Sequence, residues 1–273
     1  MTLDAATGLL ACPHCREPLT IGPQTVTCAR GHSYDIARQR YVNLLDGPEP
    51  ANADTAAMVA ARQRVHAAGL FDPVAAAVAA AIRSGAPRRV LEVGAGPAAY
   101  LRRCLGDDPA ARGVALDVSR AAAKAAARAD ARIAAVVADV WKAIPLLDGS
   151  VDAVLAVFAP RNPVEFARVL RPGGRLVVVT PTPAHLAALR TVHGLLDIPD
   201  DKGERLDRAL GDRFEPTGTT TVSYPISVDP ELARDLVEMG PNAFHRVPER
   251  TQPLTDRIEV TLTAWVTCHP PTC

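Results

Sequence analysis

Four residues near the start of the chain have the types and spacing of a metal site: Cys12 and Cys15, then Cys28 and His32, in the pattern C-x2-C-x12-C-x3-H. Two close ligand pairs joined by a short hairpin, with strand-like Thr25-Val26-Thr27 between them, let four soft or borderline donors converge tetrahedrally, as in a closed structural zinc site. Gly31 eases the tight second turn. A segment this short buries too little apolar surface to fold by itself, whereas structural zinc supplies on the order of 10–16 kcal/mol of apparent binding energy to small modules. Cys-Pro-His-Cys is also the form of a redox pair, but such a pair opens a helix after a strand, and Pro18 and Gly22-Pro23 soon break any helix here. Haem attachment needs a histidine where Arg16 stands, and thiols buried without metal are the remaining alternative. Cys104, Cys268 and Cys273 lack ligand spacing and read as packing or tail residues.

A second constellation begins where the apolar run Arg89 to Val93 meets Gly94-Ala95-Gly96-Pro97. Gly94 and Gly96 let backbone approach a ligand closely, and Asp117, ending the next apolar run, is placed to accept hydrogen bonds from ribose hydroxyls. Asp139 ends the third run and borders an expected adenine pocket. Gly94-x-Gly96-x-x-Ala99 also satisfies the relaxed dinucleotide fingerprint, which keeps a nicotinamide oxidoreductase open. A spent binding fold serving as an interaction module is a third reading. Glu92, two residues before Gly94, and the Arg171-Pro172-Gly173-Gly174-Arg175 turn before Leu176 to Thr180 resemble the acidic first strand and the fifth-strand entry of class I methyltransferases. That resemblance implies S-adenosylmethionine as the methyl donor, with Glu92 among its contacts.

These residues need a scaffold, and the 273-residue chain supplies one large domain with a small appendage. Hydrophobic content of 48% and charged content of 22% lie in the globular range. Strands are expected at 89–93, 114–117, 133–138, 151–158 and 175–180, alternating with helices at 98–105 and 119–129. Buried parallel strands alternating with helices predict a doubly wound, Rossmann-like α/β sheet, whose ligand crevice lies beyond the carboxyl ends of the strands. An Ala-rich stretch, 55–83, reads as helices broken near Gly69 and Pro73; strands at 220–227 and 258–266 around a helix at 230–239 are expected to complete the sheet as an antiparallel edge pair. The expected division is a zinc-ribbon module over 1–45 that recognises RNA, a helical linker over 46–86 and a methyltransferase domain over 87–273. Met1-Thr2-Leu3-Asp4 lacks the basic start of a signal peptide and no apolar run approaches the roughly 20 residues of a membrane span, which predicts a cytoplasmic protein without a membrane partner. Net charge is zero, but Arg30, Arg38 and Arg40 flank only Asp35, and Arg62, Arg64, Arg83, Arg88 and Arg89 follow.

With both halves in view, the chain resembles the bacterial 23S rRNA (guanine-N1)-methyltransferase family, in particular its tylosin- and mycinamicin-resistance branch. The resemblance rests on Cys-Pro-His-Cys, on Gly31 to Gln39 running into Tyr41-Val42-Asn43-Leu44-Leu45, and on Asp54 through Arg62. It continues through Leu116-Asp117-Val118-Ser119, Ala138-Asp139-Val140-Trp141, Phe158-Ala159-Pro160-Arg161-Asn162-Pro163, Val179-Thr180-Pro181 and His185-Leu186. It implies zinc at Cys12, Cys15, Cys28 and His32. It also implies S-adenosylmethionine contacts at Phe71, the Gly94 to Ala98 turn, Asp117 and His185. It further implies 23S rRNA as substrate, with hairpin 35 near the exit tunnel as target, resistance to macrolides as outcome, and a homodimer. The chain departs from the family at Pro97 and Ala98, where relatives often carry an acidic or threonine residue and then glycine, and at Phe71, where some carry tyrosine.

Methyl transfer from a sulfonium needs in-line approach of the nucleophile, so positioning is the expected main contribution. Guanine N1 carries a proton that some group must accept; no base is identified from the sequence, and Phe158, Arg161 and Asp139 are the candidate catalytic residues, with Asp139 and His185 close enough to the expected pocket to take the proton. Phe158 is expected to stack on an unstacked base and Arg161 to meet phosphate or the guanine carbonyl. Trp141 and Met239 to His245 are suspected pocket walls, with core packing the alternative for their aromatics. Arg38 and Arg40 are expected to grip RNA.

Overall fold

The structure, a computed structural model, describes residues 2–199, 208, 210–211, 213–244 and 251–267. His245, Cys268 and Cys273, singled out above, lie outside the described residues. The N-terminal segment forms a 3-10 turn, Thr2–Ala6, and a small antiparallel sheet of β1 (Leu19–Ile21), β2 (Thr25–Cys28) and β3 (Ser33–Asp35). Strand β4 (Tyr41–Asn43) then leaves this module and pairs in parallel with β7 (Ile133–Val137) at the edge of the large sheet.

Among the described residues that sheet has eight strands. Five more of its members are β5 (Arg89–Val93), β6 (Arg112–Asp117), β8 (Val151–Val157), β9 (Leu170–Pro181) and β10 (Phe214–Val228). With β11 (Leu254–Thr267) the order is β10-β11-β9-β8-β5-β6-β7-β4. Neighbours from β4 to β9 are parallel, while β11 runs antiparallel between β9 and β10. The doubly wound sheet and its antiparallel closing pair agree with the sequence expectation. The Arg171 to Gly174 turn does not stand outside the fifth strand: Val151 pairs with Leu170 and Ala153 with Arg175, so the turn bulges out of β9 itself. Gly173 takes φ +69° there, in the left-handed region where a side chain is strained.

Four of the described helices start where a side chain satisfies an orphan amide. Thr55 caps α1 (Ala56–Ala67) through Met58 N–H, and Ser119 caps α4 (Arg120–Ala126) through Ala122 N–H. Asn162 caps α5 (Pro163–Val169) and Asp229 caps α7 (Pro230–Glu238), each followed by proline at the first helical position. Among the described residues the structure also has α2 (Asp72–Arg83), α3 (Ala99–Leu105) and α6 (Ala187–His193). The chain turns by 86° between α1 and α2 at the expected Gly69 break. No single helix among the described residues is long and apolar enough to cross a membrane.

A parallel sheet buries both faces. On one face, Val74 and Val78 of α2, Leu101 of α3, Ala123 of α4 and Leu236 of α7 pack with Val90, Ile133 and Val177. The opposite face is covered differently, because residues 138–150, which cross from β7 to β8, form no helix. Leu3, Leu9, Leu10, Leu19 and Val26 of the N-terminal module cover it instead, in one core with Leu91, Leu116, Val136 and Phe166. Backbone bonds sew the module down: Ala11 N–H to Pro145 O at 3.0 Å and Leu147 N–H to Leu9 O at 2.8 Å. From the other side Arg168 of α5 grips the crossover, donating to Ile144 O at 2.7 Å, Leu146 O at 2.8 Å and Asp148 at 2.6 Å while paired with Glu165.

Because this core is shared, Leu10→Ala is expected to cost about 2–5 kcal/mol and to lower the midpoint of the whole chain. Urea denaturation followed by the fluorescence of buried Trp265 in β11 checks it; a sheet transition unmoved by the substitution would mean that the module is merely tethered.

Candidate active site and metal centre

The ligand atoms of Cys12, Cys15, Cys28 and His32 all lie within 4.8 Å of one another. Cys15 Sγ and Cys28 Sγ are 3.6 Å apart, and His32 Nδ1 is 3.5 Å from Cys12 Sγ and 3.4 Å from Cys28 Sγ. Donors held about 2.0–2.3 Å from a central zinc ion stand roughly 3.3–3.8 Å apart at tetrahedral corners, so the four fit that ion. The hairpin makes this possible: Cys28 ends β2, and Gly31, at φ +86°, returns the chain so that His32 O accepts from Cys28 N–H. Tyr34, on β3, places its hydroxyl 3.2 Å from Cys12 Sγ. Burial pushes the Cys12 thiol up, yet the Tyr34 hydrogen bond and the amides of Cys15 and His14 outweigh it and bring the thiol down to about 6. A thiolate supported from outside the ligand set is what a metal site requires.

Some of the remaining candidates meet at the carboxyl edge of the sheet. After β5 the backbone turns sharply, with φ +59° at Gly94 and +52° at Gly96. A Cβ on Gly94 would stand 2.8 Å from Ala159 Cβ, and one on Gly96 would stand 2.8 Å from Arg62 Nη1. At Gly94 a close, short neighbour disfavours any side chain as well as the backbone conformation does, whereas at Gly96 the neighbour is the movable end of Arg62 and the positive φ is the main constraint. Asp117, at the end of β6, ties the turn to the next helix: one carboxylate oxygen accepts Gly96 N–H at 2.9 Å and the other accepts Ser119 N–H at 2.9 Å. Burial raises its pKa, against the lowering pull of those two amides. Ala98 caps α3 at φ +59°, a left-handed conformation that costs a non-glycine residue about 1–2 kcal/mol.

Glu92, expected among the cofactor contacts, is 1% exposed and accepts Leu101 N–H from α3 at 3.1 Å, so it braces the turn from behind. Burial lifts its carboxyl to about 8. Phe71, Phe158 and His185 form a ring cluster with centroids 5.7–6.2 Å apart. His66 of α1 continues it toward Tyr100, 5.0 Å away edge to face. Burial, with Arg62 nearby, lowers His66 to about 4, so it is neutral. Phe158 and Leu186, like Ala98, hold positive φ without being glycine, at +54° and +50°. Strain of this kind persists only where surroundings enforce it, commonly at functional sites.

The loop after β8 is fixed at both ends. Ala159 packs on Gly94, and Asn162 donates to Val140 O at 2.9 Å while capping α5. Arg161 between them is half buried, makes no ion pair or hydrogen bond among the described residues, and has its pKa lowered by burial alone. Asp139 accepts Trp141 N–H at 2.9 Å, which holds the indole out in solvent at 67% exposure. Trp141 and the exposed Phe244 therefore do not pack in the core. Arg38 is exposed, whereas Arg40 is half buried and donates to Pro23 O. Sequence reasoning gave no role to Arg62, His66 or Tyr34. The string Asp54 to Arg62 was visible, and in the structure Arg62 Nη1 reaches Asp54 at 2.5 Å while Ser119 Oγ donates to Asp54 O at 2.6 Å.

Residues 10–49 match a family profile described as "RlmA, N-terminal", and residues 90–174 match one described as "Methyltransferase domain". A Streptomyces fradiae protein named 23S rRNA (guanine(748)-N(1))-methyltransferase is 42% identical over 270 residues, covering 96% of each chain. A Micromonospora griseorubida protein named as a 23S rRNA (guanine-N(1)-)-methyltransferase is 43% identical over 282 residues, covering 94% of this chain and 95% of its own.

Two outcomes are expected. Tyr34→Phe should weaken zinc affinity about 10-fold or more, measured by competition with a chelator, and unchanged affinity would remove Tyr34 from the centre. Glu92 has a folded pKa above its unfolded one, so its contribution to stability is full below pH about 4.5 and is lost as pH rises toward about 8. Glu92→Gln should therefore stabilise the protein most near pH 8 and least near pH 5 in denaturant titrations; a pH-independent difference would contradict the buried, protonated carboxyl.

Proposed function

Because the chain belongs to the family of 23S rRNA (guanine-N1)-methyltransferases, we propose that it acts in the cytoplasm on the loop of hairpin 35, near the peptide exit tunnel, and so confers resistance to macrolides of the tylosin and mycinamicin type. The chain is an S-adenosylmethionine-dependent enzyme that methylates guanine N1 in 23S rRNA, and it carries a structural zinc ribbon. What remains is the assignment of residues to steps.

The observation that carries the assignment is the loop from Phe158 to Asn162: a partly exposed aromatic in strained backbone, an arginine without a counter-ion among the described residues, and packing against the glycine turn. The crevice at Gly94, Gly96, Pro97, Ala98 and Asp117, with Phe71 and His185 at one end and Asp139 at the other, holds the methyl donor. The donor supplies an electrophilic methyl group on a sulfonium. Glu92 serves this site from behind the turn. His185 Nδ1 accepts Glu259 N–H at 3.3 Å, which in the neutral ring leaves hydrogen on Nε2. With Nδ1 engaged by the backbone, His185 is assigned to positioning the donor and not to taking the proton.

Phe158 takes the place of stacking lost when guanine is unstacked, a contact worth about 1–3 kcal/mol. Arg161 meets the guanine carbonyl oxygen. As N1 loses its proton, negative charge spreads onto that oxygen, and a desolvated guanidinium stabilises it more than water would. Asp139, with one oxygen held by Trp141 N–H, keeps its second oxygen for the adenine end of the donor, and the N1 proton leaves to water at the Phe158 loop. The module over 1–45 and exposed Arg38 hold the RNA backbone, exposed Trp141 lies along its path, and a second copy of the chain completes the cleft.

Incubating unmodified ribosomal RNA with the protein and labelled S-adenosylmethionine should yield 1-methylguanosine by nucleoside mass spectrometry, with a primer-extension stop in hairpin 35. A stop elsewhere would overturn the target. Arg161→Ala should lower kcat about 100-fold with little change in donor binding, and a normal rate would remove Arg161 from the chemistry.

A further inference from the structure

The strand order imposes an order on any ligand lying along the crevice. Asp139 follows β7, Asp117 ends β6 and the Gly94 turn follows β5, and these three strands are consecutive neighbours in the sheet. Neighbouring strands are about 4.8 Å apart. With adenine beside Asp139 and ribose on Asp117, the amino-acid tail of the methyl donor has to run onward across the β5 turn.

The side chain lying on that turn is Arg62 of α1. Its Nη1, Cδ and Cζ stand 2.8, 3.4 and 3.8 Å from where a Cβ on Gly96 would be. Asp54 fixes one arm of the guanidinium through Nη1 at 2.5 Å, and Met239 O fixes the other through Nη2 at 2.5 Å. A guanidinium has five N–H donors. Two are used by these partners, and the others meet nothing among the described residues. The side chain keeps 23% exposure, which leaves it reachable. Its charge is felt by Asp117, Tyr100 and His66, so it sits within the crevice and not on an outer surface.

A planar, oriented cation with spare donors matches a carboxylate. We propose that Arg62 grips the α-carboxylate of the donor's amino-acid tail and so sets where the sulfonium stands relative to the Phe158 loop. This rests on the reading of the crevice as the donor site. The competing role is a staple that only joins α1, the turn and the segment after α7.

Two probes separate the roles: S-adenosylhomocysteine, and S-adenosyl-3-thiopropylamine, which differs from it only in lacking the α-carboxylate. Calorimetry on intact zinc-loaded protein should show the first binding about 10- to 100-fold more tightly. Arg62→Gln should abolish that preference while leaving the amine's affinity near its original value, and Arg62→Lys should retain part of it. Equal binding of both probes by the unaltered protein overturns the proposal, as does a Gln variant that weakens both probes by the same factor. Should Arg62→Gln lose its zinc or its cooperative melt, the Lys variant carries the comparison, and a full preference retained there overturns the bidentate grip. Failure of the unaltered protein to bind S-adenosylhomocysteine would instead sink the donor-site reading itself.

Discussion

A parallel sheet cannot leave a face in water, because its strands are apolar on both sides. In this protein the crossover from β7 to β8 contributes no helix to one face, and the first 44 residues do that work. Their ability to do so depends on the Cys12, Cys15, Cys28 and His32 cluster, since three strands of three or four residues have little cohesion of their own. The metal centre is therefore part of how the sheet is finished. Buried Cys12 and Cys28 belong to the same apolar core as Leu91, Leu116 and Val136.

The carboxyl edge of the sheet holds the crevice, where backbone conformation is costly and side chains are committed to holding it. Asp117 uses both oxygens on backbone amides, Glu92 uses one on Leu101, and Arg62 fills the space that Gly96 leaves. Ala98, Phe158 and Leu186 hold left-handed backbone without glycine. These groups are preorganised before any ligand arrives, which is how a site lowers the reorganisation needed at the moment of reaction.

Much of this was legible in the sequence because it is local. Ligand spacing at Cys12 to His32 constrains a hairpin directly, and apolar runs such as Ile133 to Val137 mark buried strands whatever their neighbours. The glycine turn with Asp117 marked the crevice for the same reason. What escaped depends on contacts distant in sequence. Tyr41 to Asn43 form a strand only because β7 offers an edge, and Arg62 gained its place only once α1 lay across a turn more than thirty residues later. Asn162-Pro163, a capping side chain followed by proline, has the form of a helix start, yet no helix is placed there from the sequence, so α5 is a missed local signal. The exposure of Trp141 follows from a turn made by Asp139, and no hydropathy pattern encodes it.

The stitch between the module and the crossover also bears on how the chain is made. Arg16 and Ile144, joined by a hydrogen bond, are 128 residues apart, and Leu3, Leu9 and Leu10 share their core with strands synthesised long after them. During translation the head of the protein emerges first with greasy side chains and nothing to cover them, a state prone to sticking to other nascent chains. Early capture of zinc by the four ligands would fold Leu19 and Val26 into a compact hairpin beside them until the sheet arrives. Metal supply is then a condition on the yield of folded enzyme as much as on its stability once folded.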